Sequence, residues 1–156
     1  MPDPVATDIA EPELDSAARA VVAATVSAVN PDQVILFGSR ARGDAQADSD
    51  IDLLVIMPEP FTAARSRQGQ LRLIRHALHD CRLPVDVLLY SRDEVDVWRD
   101  SPNHVIGRSL REGVAVYVSS PGRLYGRLLN NAGRSRYQFF RHSMGDTCFS
   151  ARCGIC

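Results

Sequence analysis

The chain has 156 residues, of which 45% are hydrophobic and 24% are charged, and these proportions are typical of a globular protein with one domain and one core. No apolar run approaches the ~18 residues that a membrane-spanning helix needs. The acidic, proline-containing start of the chain lacks the layout of a secretory signal, so we expect a cytoplasmic protein.

Positive side chains in this protein are arginines, because the sequence contains no lysine. Residues 1–120 carry 12 Arg and 18 acidic residues, a net charge of −6, whereas residues 121–156 carry 6 Arg and 1 acidic residue, a net charge of +5. Any phosphate contact must therefore come from Arg or from backbone N–H groups. The acidic main part argues against nucleic acid as a partner, because it repels a phosphate backbone.

Apolar residues at helical spacing predict four helices, and short apolar runs predict four strands; Gly, Pro and capping residues separate them. In chain order these are a helix from Glu13 to Val29, strands at Gln33–Phe37 and Ile51–Met57, a helix from Thr62 to Cys81, a strand at Val85–Tyr90, a short helix from Ser91 to Trp98, a helix from Ser101 to Glu112 and a strand at Val114–Val118. The stretch from Ser39 to Ser49 has room for one helical turn at most. Ser91 and Glu94 predict a capping box, and Trp98 is expected to be a partly buried anchor.

This order predicts an α/β (α+β) domain at residues 13–119, with a small mixed β-sheet flanked by helices. Residues 1–12 contain prolines and acids and are expected to be a disordered lead-in. Residues 120–156 have a weak helical pattern broken by glycines, which predicts an irregular or helical appendage of uncertain order. Its Cys148, Cys153, Cys156 and His142 match no well-attested zinc spacing, so free thiols are the better interpretation and metal binding there stays open.

Two acidic residues mark the start of the second predicted strand. Residues two apart in a strand point to the same side, with Cα atoms about 6.5–7 Å apart, so Asp50 and Asp52 present two carboxylates together. Ile51 and Leu53 then face the core. A divalent cation would remove the repulsion between the carboxylates, whose oxygens are ligands that Mg²⁺ or Mn²⁺ prefers. The alternative interpretation of the pair is a solvated strand edge.

The first predicted strand ends at a Gly-Ser pair. Gly38 allows close backbone approach to a ligand, and the exposed N–H groups there, together with the Ser39 hydroxyl, suit a phosphate. Arg40 and Arg42 follow and are able to neutralise or grip a triphosphate, and Gly43 permits the next bend. The sequence therefore predicts a phosphate cradle beside the carboxylate pair.

A third carboxylate is expected if the chemistry is in-line phosphoryl transfer with two metal ions. Asp86 is a charged residue in an otherwise apolar strand and meets this requirement if its face of the sheet is also that of Asp50 and Asp52. The alternatives are a residue of a solvated edge or the partner of one of the arginines. The occurrence of all three features on successive strands favours a catalytic site.

The spacing of these residues resembles that of a known family. Gly38-Ser39, ten intervening residues and Asp50-Ile51-Asp52 are similar to the G-S-x10-D-x-D signature of the polymerase-β-like nucleotidyltransferases. The segments Leu36–Gly43 and Ser49–Leu53 look like those of the minimal nucleotidyltransferase branch, and the resemblance covers residues 14–119. It implies the polymerase-β-like nucleotidyltransferase fold.

The resemblance also implies a role for each site residue. Gly38 and Ser39 would hold a nucleoside triphosphate. Asp50 and Asp52 would be metal ligands, and Asp86 would be the third carboxylate, which activates the acceptor hydroxyl. The implied cofactor is Mg²⁺, as two ions, with Mn²⁺ as a substitute, and ATP is the implied donor.

A protein partner is the last implication of the resemblance. Minimal domains of this kind often act beside a separate HEPN-type protein, in some cases as antitoxins that transfer AMP to a tyrosine of that partner. The chain length leaves no room for a substrate-binding domain, which agrees with an acceptor on another protein. Two alternatives stay open: an antitoxin that neutralises its toxin by binding alone, and a nucleotidyltransferase that modifies a small molecule such as an antibiotic.

Overall fold

The computed structural model describes residues 14–119, which form five helices and four strands. In chain order these are α1 (Ser16–Val29), β1 (Gln33–Phe37), α2 (Gly38–Arg42), β2 (Ile51–Met57), α3 (Arg67–Ala77), β3 (Val85–Ser91), α4 (Arg92–Trp98), α5 (Val105–Glu112) and β4 (Val114–Val118). None of these described helices combines the length and apolar character needed to cross a bilayer. The predicted lead-in, the appendage and its cysteines and histidine lie outside the described residues.

The four strands form one mixed sheet in the order β3-β2-β1-β4. Strand β1 pairs antiparallel with both β2 and β4, whereas β2 and β3 are parallel and are connected through helix α3. The prediction of a small mixed sheet flanked by helices is therefore confirmed. The parallel pair matters for the site, because it brings the beginnings of β2 and β3 to the same end of the sheet.

The sheet is buried on both faces, and alternate residues of β2 supply the two cores. Ile51 and Leu53 pack with α1 and α3, where Val21, Val22 and Ile74 are buried. Leu54 and Ile56 pack on the other face with α4 and α5. Each fully buried aliphatic side chain contributes about 1.5–3 kcal/mol, so the buried residues of β2 stabilise the domain strongly.

Helix starts differ from the predictions because specific side chains cap them. Asp15 caps α1 by accepting a hydrogen bond from the Ala18 N–H at 2.7 Å, so the helix begins at Ser16 instead of Glu13. Ser66 accepts from the Gly69 N–H at 3.1 Å, so α3 begins at Arg67 instead of Thr62. Asp15 and Ser66 themselves have extended dihedral angles, so neither residue can be part of its helix.

Three further differences lie in the second half of the domain. Helix α3 ends at Ala77, so the half-buried, free Cys81 lies beyond it. Helix α5 begins at Val105 instead of Ser101, because the Nδ1 atom of His104 accepts from the Ile106 N–H at 3.2 Å. Trp98 is more exposed than the prediction of a partly buried anchor implies: its ring stacks on His104 with centroids 4.5 Å apart, but 44% of the residue is exposed.

Strand bounds follow the predictions closely. Three strands have the predicted bounds, and β3 continues one residue further, to Ser91. The predicted capping box at Ser91 and Glu94 is present and starts α4.

Glu94 also pairs with Arg67 of α3. Burial alone would raise the pKa of Glu94, but hydrogen bonds from the Ser91 backbone and the Arg67 guanidinium outweigh it and lower that pKa.

Candidate active site

The site lies where β1 ends and where β2 and β3 begin. In the sheet, Asp52 is paired with Phe37 of β1 on one side and with Asp86 of β3 on the other. Paired residues on neighbouring strands point to the same face, so the carboxylates of Asp52 and Asp86 share a face, as a three-carboxylate site requires. Asp50 has the same parity as Asp52 and lies just before the strand. Gly38 follows Phe37 directly, so the Gly-Ser turn adjoins the carboxylates.

Asp52 is at the centre of this acidic group. Asp50 and Asp86 are exposed, whereas Asp52 is half-buried. Burial raises the pKa of Asp52, repulsion from Asp86 and Asp50 raises it further, and the positive charge of Arg42 partly opposes them. Asp86, Asp50 and Arg42 are thus all close enough to shift the pKa of Asp52. The site holds concentrated negative charge that the protein itself compensates only in part.

The three carboxylates suit divalent metal ions that prefer oxygen ligands. Three carboxylates are the ligands that Mg²⁺ and Mn²⁺ favour, and a cation would relieve the repulsion that raises the pKa of Asp52. Within residues 14–119, however, no three potential ligands are already gathered around one point. Asp50 and Asp86 are exposed, and these two side chains would have to turn toward Asp52 to enclose an ion.

Gly38 has a conformation and a position that exclude a side chain. Its φ angle is +74°, in the left-handed region, which costs other residues about 1–2 kcal/mol. A Cβ atom added there would overlap Oδ2 of Asp52 and lie 3.0 Å from its Cγ. The backbone of the turn therefore lies directly against the Asp52 carboxylate. A phosphate bound by this backbone would be next to the metal ligands.

The turn continues as the five-residue helix α2 and ends at Gly43, whose φ is +81°. This helix is the single turn that the sequence leaves room for between the first two strands. Arg42 lies on it, largely exposed, with its Nε 3.3 Å from a carboxylate oxygen of Asp44. Because Arg42 also lowers the pKa of Asp52, its positive charge lies near the carboxylates. Ser39 and Arg42 thus both lie on the helix that adjoins the carboxylates.

Arg40 is placed differently from Arg42. Its side chain is 5% exposed, and its guanidinium is directed at protein atoms. The Nε and Nη2 atoms donate to the Ser49 carbonyl at 3.1 and 2.7 Å, and Nη1 pairs with Asp15. The structure therefore shows the Arg40 guanidinium bound to protein atoms, and its predicted triphosphate contact stays a prediction. Sequence reasoning missed Asp15 and Ser49 here, since neither carries a local signal of this contact.

Comparison with known proteins identifies the family. Residues 21–105, more than half of the chain, match the model of the nucleotidyltransferase domain. No curated protein sequence matches the chain.

The solved structures that resemble the chain include the following two. One is a protein of Sulfolobus solfataricus that is provisionally described as a nucleotidyltransferase; it is 23% identical, with 69% of this chain and 83% of that one covered and a TM-score of 0.46. The other is a toxin–antitoxin structure with AMP-PNP, 18% identical, with 65% and 73% covered and a TM-score of 0.40. The family match confirms the resemblance carried by Gly38-Ser39 and Asp50-x-Asp52: the chain belongs to the nucleotidyltransferase domain family.

Proposed function

We propose that this nucleotidyltransferase moves AMP from ATP to a hydroxyl group and that it requires divalent metal ions. The observation that carries the proposal is the pairing of Asp52 with Asp86 in the sheet, with the Gly38 backbone against the Asp52 carboxylate. This arrangement joins a metal-ligand set to a phosphate-binding turn. The proposal places the reaction in the cytoplasm, where ATP and Mg²⁺ are available.

Each site residue has a role in the proposal. Asp50, Asp52 and Asp86 would hold two Mg²⁺ ions, or Mn²⁺, which supply positive charge to the reacting phosphate. The backbone N–H groups at Gly38 and Ser39 donate hydrogen bonds to the phosphate oxygens. Such donors stabilise the charge that develops during transfer, because they are already oriented before the reaction.

The reaction breaks one phosphoanhydride bond of ATP and forms one phosphate ester bond on the acceptor. The acceptor oxygen forms a bond to the α-phosphorus of ATP, and the bond from that phosphorus to the bridging oxygen of the β-phosphate breaks. Asp86 accepts the proton of the acceptor hydroxyl, and pyrophosphate leaves with the electron pair. Arg42, whose charge lies near the carboxylates, helps to neutralise the pyrophosphate.

The acceptor in this proposal is a tyrosine of a separate HEPN-type partner, with the pair forming a toxin–antitoxin system. This part of the proposal depends on the motif that resembles the minimal nucleotidyltransferase branch. A tyrosine hydroxyl has a pKa of about 10, so at neutral pH it is protonated and needs a base such as Asp86 at the moment of transfer.

The test combines a transfer assay with a cellular assay. The purified chain and the product of the adjacent gene are incubated with Mg²⁺ and ATP labelled at the α-phosphate, and label on the partner is measured. We expect label with the wild type and none with the double variant Asp50→Asn/Asp52→Asn. Absence of label on the partner and on the chain itself contradicts AMP transfer.

The cellular assay separates catalysis from binding. We expect the double variant to lose the ability to protect cells from the partner toxin. If it protects as well as the wild type, neutralisation by binding alone is the better account. Asp96→Asn is the matched control, because Asp96 is an exposed carboxylate on α4, outside the proposed site.

A further inference from the structure

Arg40 connects three segments of the chain around the candidate site. It lies on α2, its Nη1 atom pairs with Asp15 at the start of α1, and its other nitrogens donate to the loop that precedes β2. In that loop, Ser49 O accepts from both Nε and Nη2, and Ala47 O lies 3.3 Å from Nη2. The Arg40 guanidinium therefore pairs with the carboxylate of Asp15 on one side and donates hydrogen bonds to the carbonyls of Ser49 and Ala47 on the other.

The residue after Ser49 is Asp50, which lies outside the strand and is exposed. Its two neighbours are both fixed. The Ser49 carbonyl is held by Arg40, and the Ile51 N–H donates to the Pro84 carbonyl at 2.9 Å. Asp50 therefore lies between two hydrogen-bonded backbone groups.

The loop itself closes in a tight turn before Ser49. The Gln46 N–H donates to the Ser49 hydroxyl at 2.8 Å, and the Ser49 N–H donates to the Gln46 carbonyl at 3.1 Å. These bonds fix residues 46–49 relative to each other. The contact with Arg40 is what connects that turn to α2 and α1.

We propose that Arg40 is a positioning residue that sets the place of Asp50 through the Ser49 carbonyl and that Asp15 is required for this role. The effect on metal binding rests on the proposed function, whereas the effect on the loop does not. Charge-assisted hydrogen bonds are about twice as strong as neutral ones, so a guanidinium held by a carboxylate is a firm anchor. If Arg40 bound the triphosphate directly, its contacts with Asp15 and Ser49 would have to break.

Two variants separate positioning from direct phosphate binding. Arg40→Ala removes the anchor. Asp15→Ser keeps a good helix cap for α1, since Ser is among the preferred N-cap residues, but Ser is too short to hold Arg40. Asp15 lies outside the phosphate-binding turn, so only the positioning role predicts that its substitution affects Asp50. Arg65→Ala is the matched control, because it removes an arginine whose ion pair with Glu59, at 3.0 Å, lies beyond the other end of β2.

The first measurement is amide hydrogen exchange without metal, followed over residues 43–50. We expect faster exchange in Arg40→Ala and in Asp15→Ser, with wild-type exchange in Arg65→Ala. Melting followed by circular dichroism verifies that each variant is folded. Unchanged exchange in both variants overturns the positioning role, whatever reaction the enzyme performs.

The second measurement is Mn²⁺ affinity in the presence of a non-hydrolysable ATP analogue. Changes in groups that orient metal ligands typically cost 10–100-fold in affinity, so we expect a loss of about tenfold in both variants and no larger loss when they are combined. A different result overturns the proposal: Arg40→Ala weakens binding of the analogue but not of Mn²⁺, and Asp15→Ser binds Mn²⁺ with wild-type affinity. That result identifies Arg40 as a phosphate ligand. If the wild type binds no Mn²⁺, the proposed metal site fails, and the effect of Arg40 on metal affinity fails with it.

Discussion

Asp52 and Asp86 are paired residues on two adjacent parallel strands, and their carboxylates share one face of the sheet. Side-chain burial and the negative charges of Asp86 and Asp50 raise the pKa of Asp52. An arrangement that disfavours the charged form of a carboxylate is common at functional sites, where a ligand compensates for it.

The first prediction concerns stability without metal. Because the pKa of Asp52 is raised in the folded chain, ionisation of this group costs folding free energy as pH rises above its ordinary pKa of 3.8. We therefore expect Asp52→Asn to raise the melting temperature at neutral pH in EDTA and to leave it unchanged below that pKa, where both side chains are neutral. Melting curves across this pH range, with Asp96→Asn as the control, measure the difference. A lower melting temperature for Asp52→Asn at neutral pH contradicts this expectation.

A second prediction separates backbone strain from contact with Asp52. Gly38→Ala and Gly43→Ala both place a side chain at positive φ, which costs about 1–2 kcal/mol in stability. At Gly43 the new Cβ meets nothing within 4 Å, whereas at Gly38 it overlaps the Asp52 carboxylate. We expect both variants to lose stability but only Gly38→Ala to lose Mn²⁺ affinity as well. Equal Mn²⁺ affinity in the two variants would count against contact between the turn and the metal site.

The third prediction tests Asp86 in catalysis. A side chain that moves a proton in the transition state contributes typically 10²–10⁴-fold to the rate. We expect Asp86→Asn to lower the rate of AMP transfer at saturating ATP by about that factor, as measured with ATP labelled at the α-phosphate. Asp93→Asn, on the exposed side of α4, is expected to transfer at the wild-type rate. A rate for Asp86→Asn within twofold of the wild type would remove Asp86 from the mechanism.

The fourth prediction concerns the acid range. Hydrogen bonds from Ser91 and Arg67 lower the pKa of Glu94 in spite of its burial, so its contribution to stability is present above the ordinary pKa of 4.5 and is lost as pH falls through the lower folded pKa. Glu94→Gln should therefore melt below the wild type at neutral pH, and the gap should close in acid. The pH dependence of the melting temperature gives this result directly. A gap that is constant with pH would mean that the Glu94 charge contributes no stability.

The strands could be predicted because their local patterns are strong. Gln33–Phe37 and Ile51–Met57 are apolar runs bounded by Gly, Pro and acidic residues, and both have the predicted bounds. Helix starts were less predictable, because they depend on single caps. Ser66 is followed three residues later by Gly69 instead of Glu or Gln, and His104 is not a usual cap, so neither gives a clear signal.

The residues of the site could be predicted, Asp86 among them from its place in an otherwise apolar strand, but the contacts between distant segments could not. Gly38, Ser39, Asp50 and Asp52 are identified by spacing alone. The pairing of Asp52 with Asp86 depends on the register of two parallel strands, which the sequence does not specify. Arg40 contacts Asp15, 25 residues away, so this contact is visible only in three dimensions.

The central claim is that Asp50, Asp52 and Asp86 together with the Gly38 turn form a metal-dependent site for ATP. Equilibrium binding of ATP, measured with Mg²⁺ and with EDTA for the wild type and for Asp50→Asn/Asp52→Asn, tests it most directly. We predict that Mg²⁺ tightens ATP binding to the wild type and that the double variant loses this effect. ATP binding that is equally tight in EDTA, or a double variant that keeps the full effect of Mg²⁺, would contradict the claim.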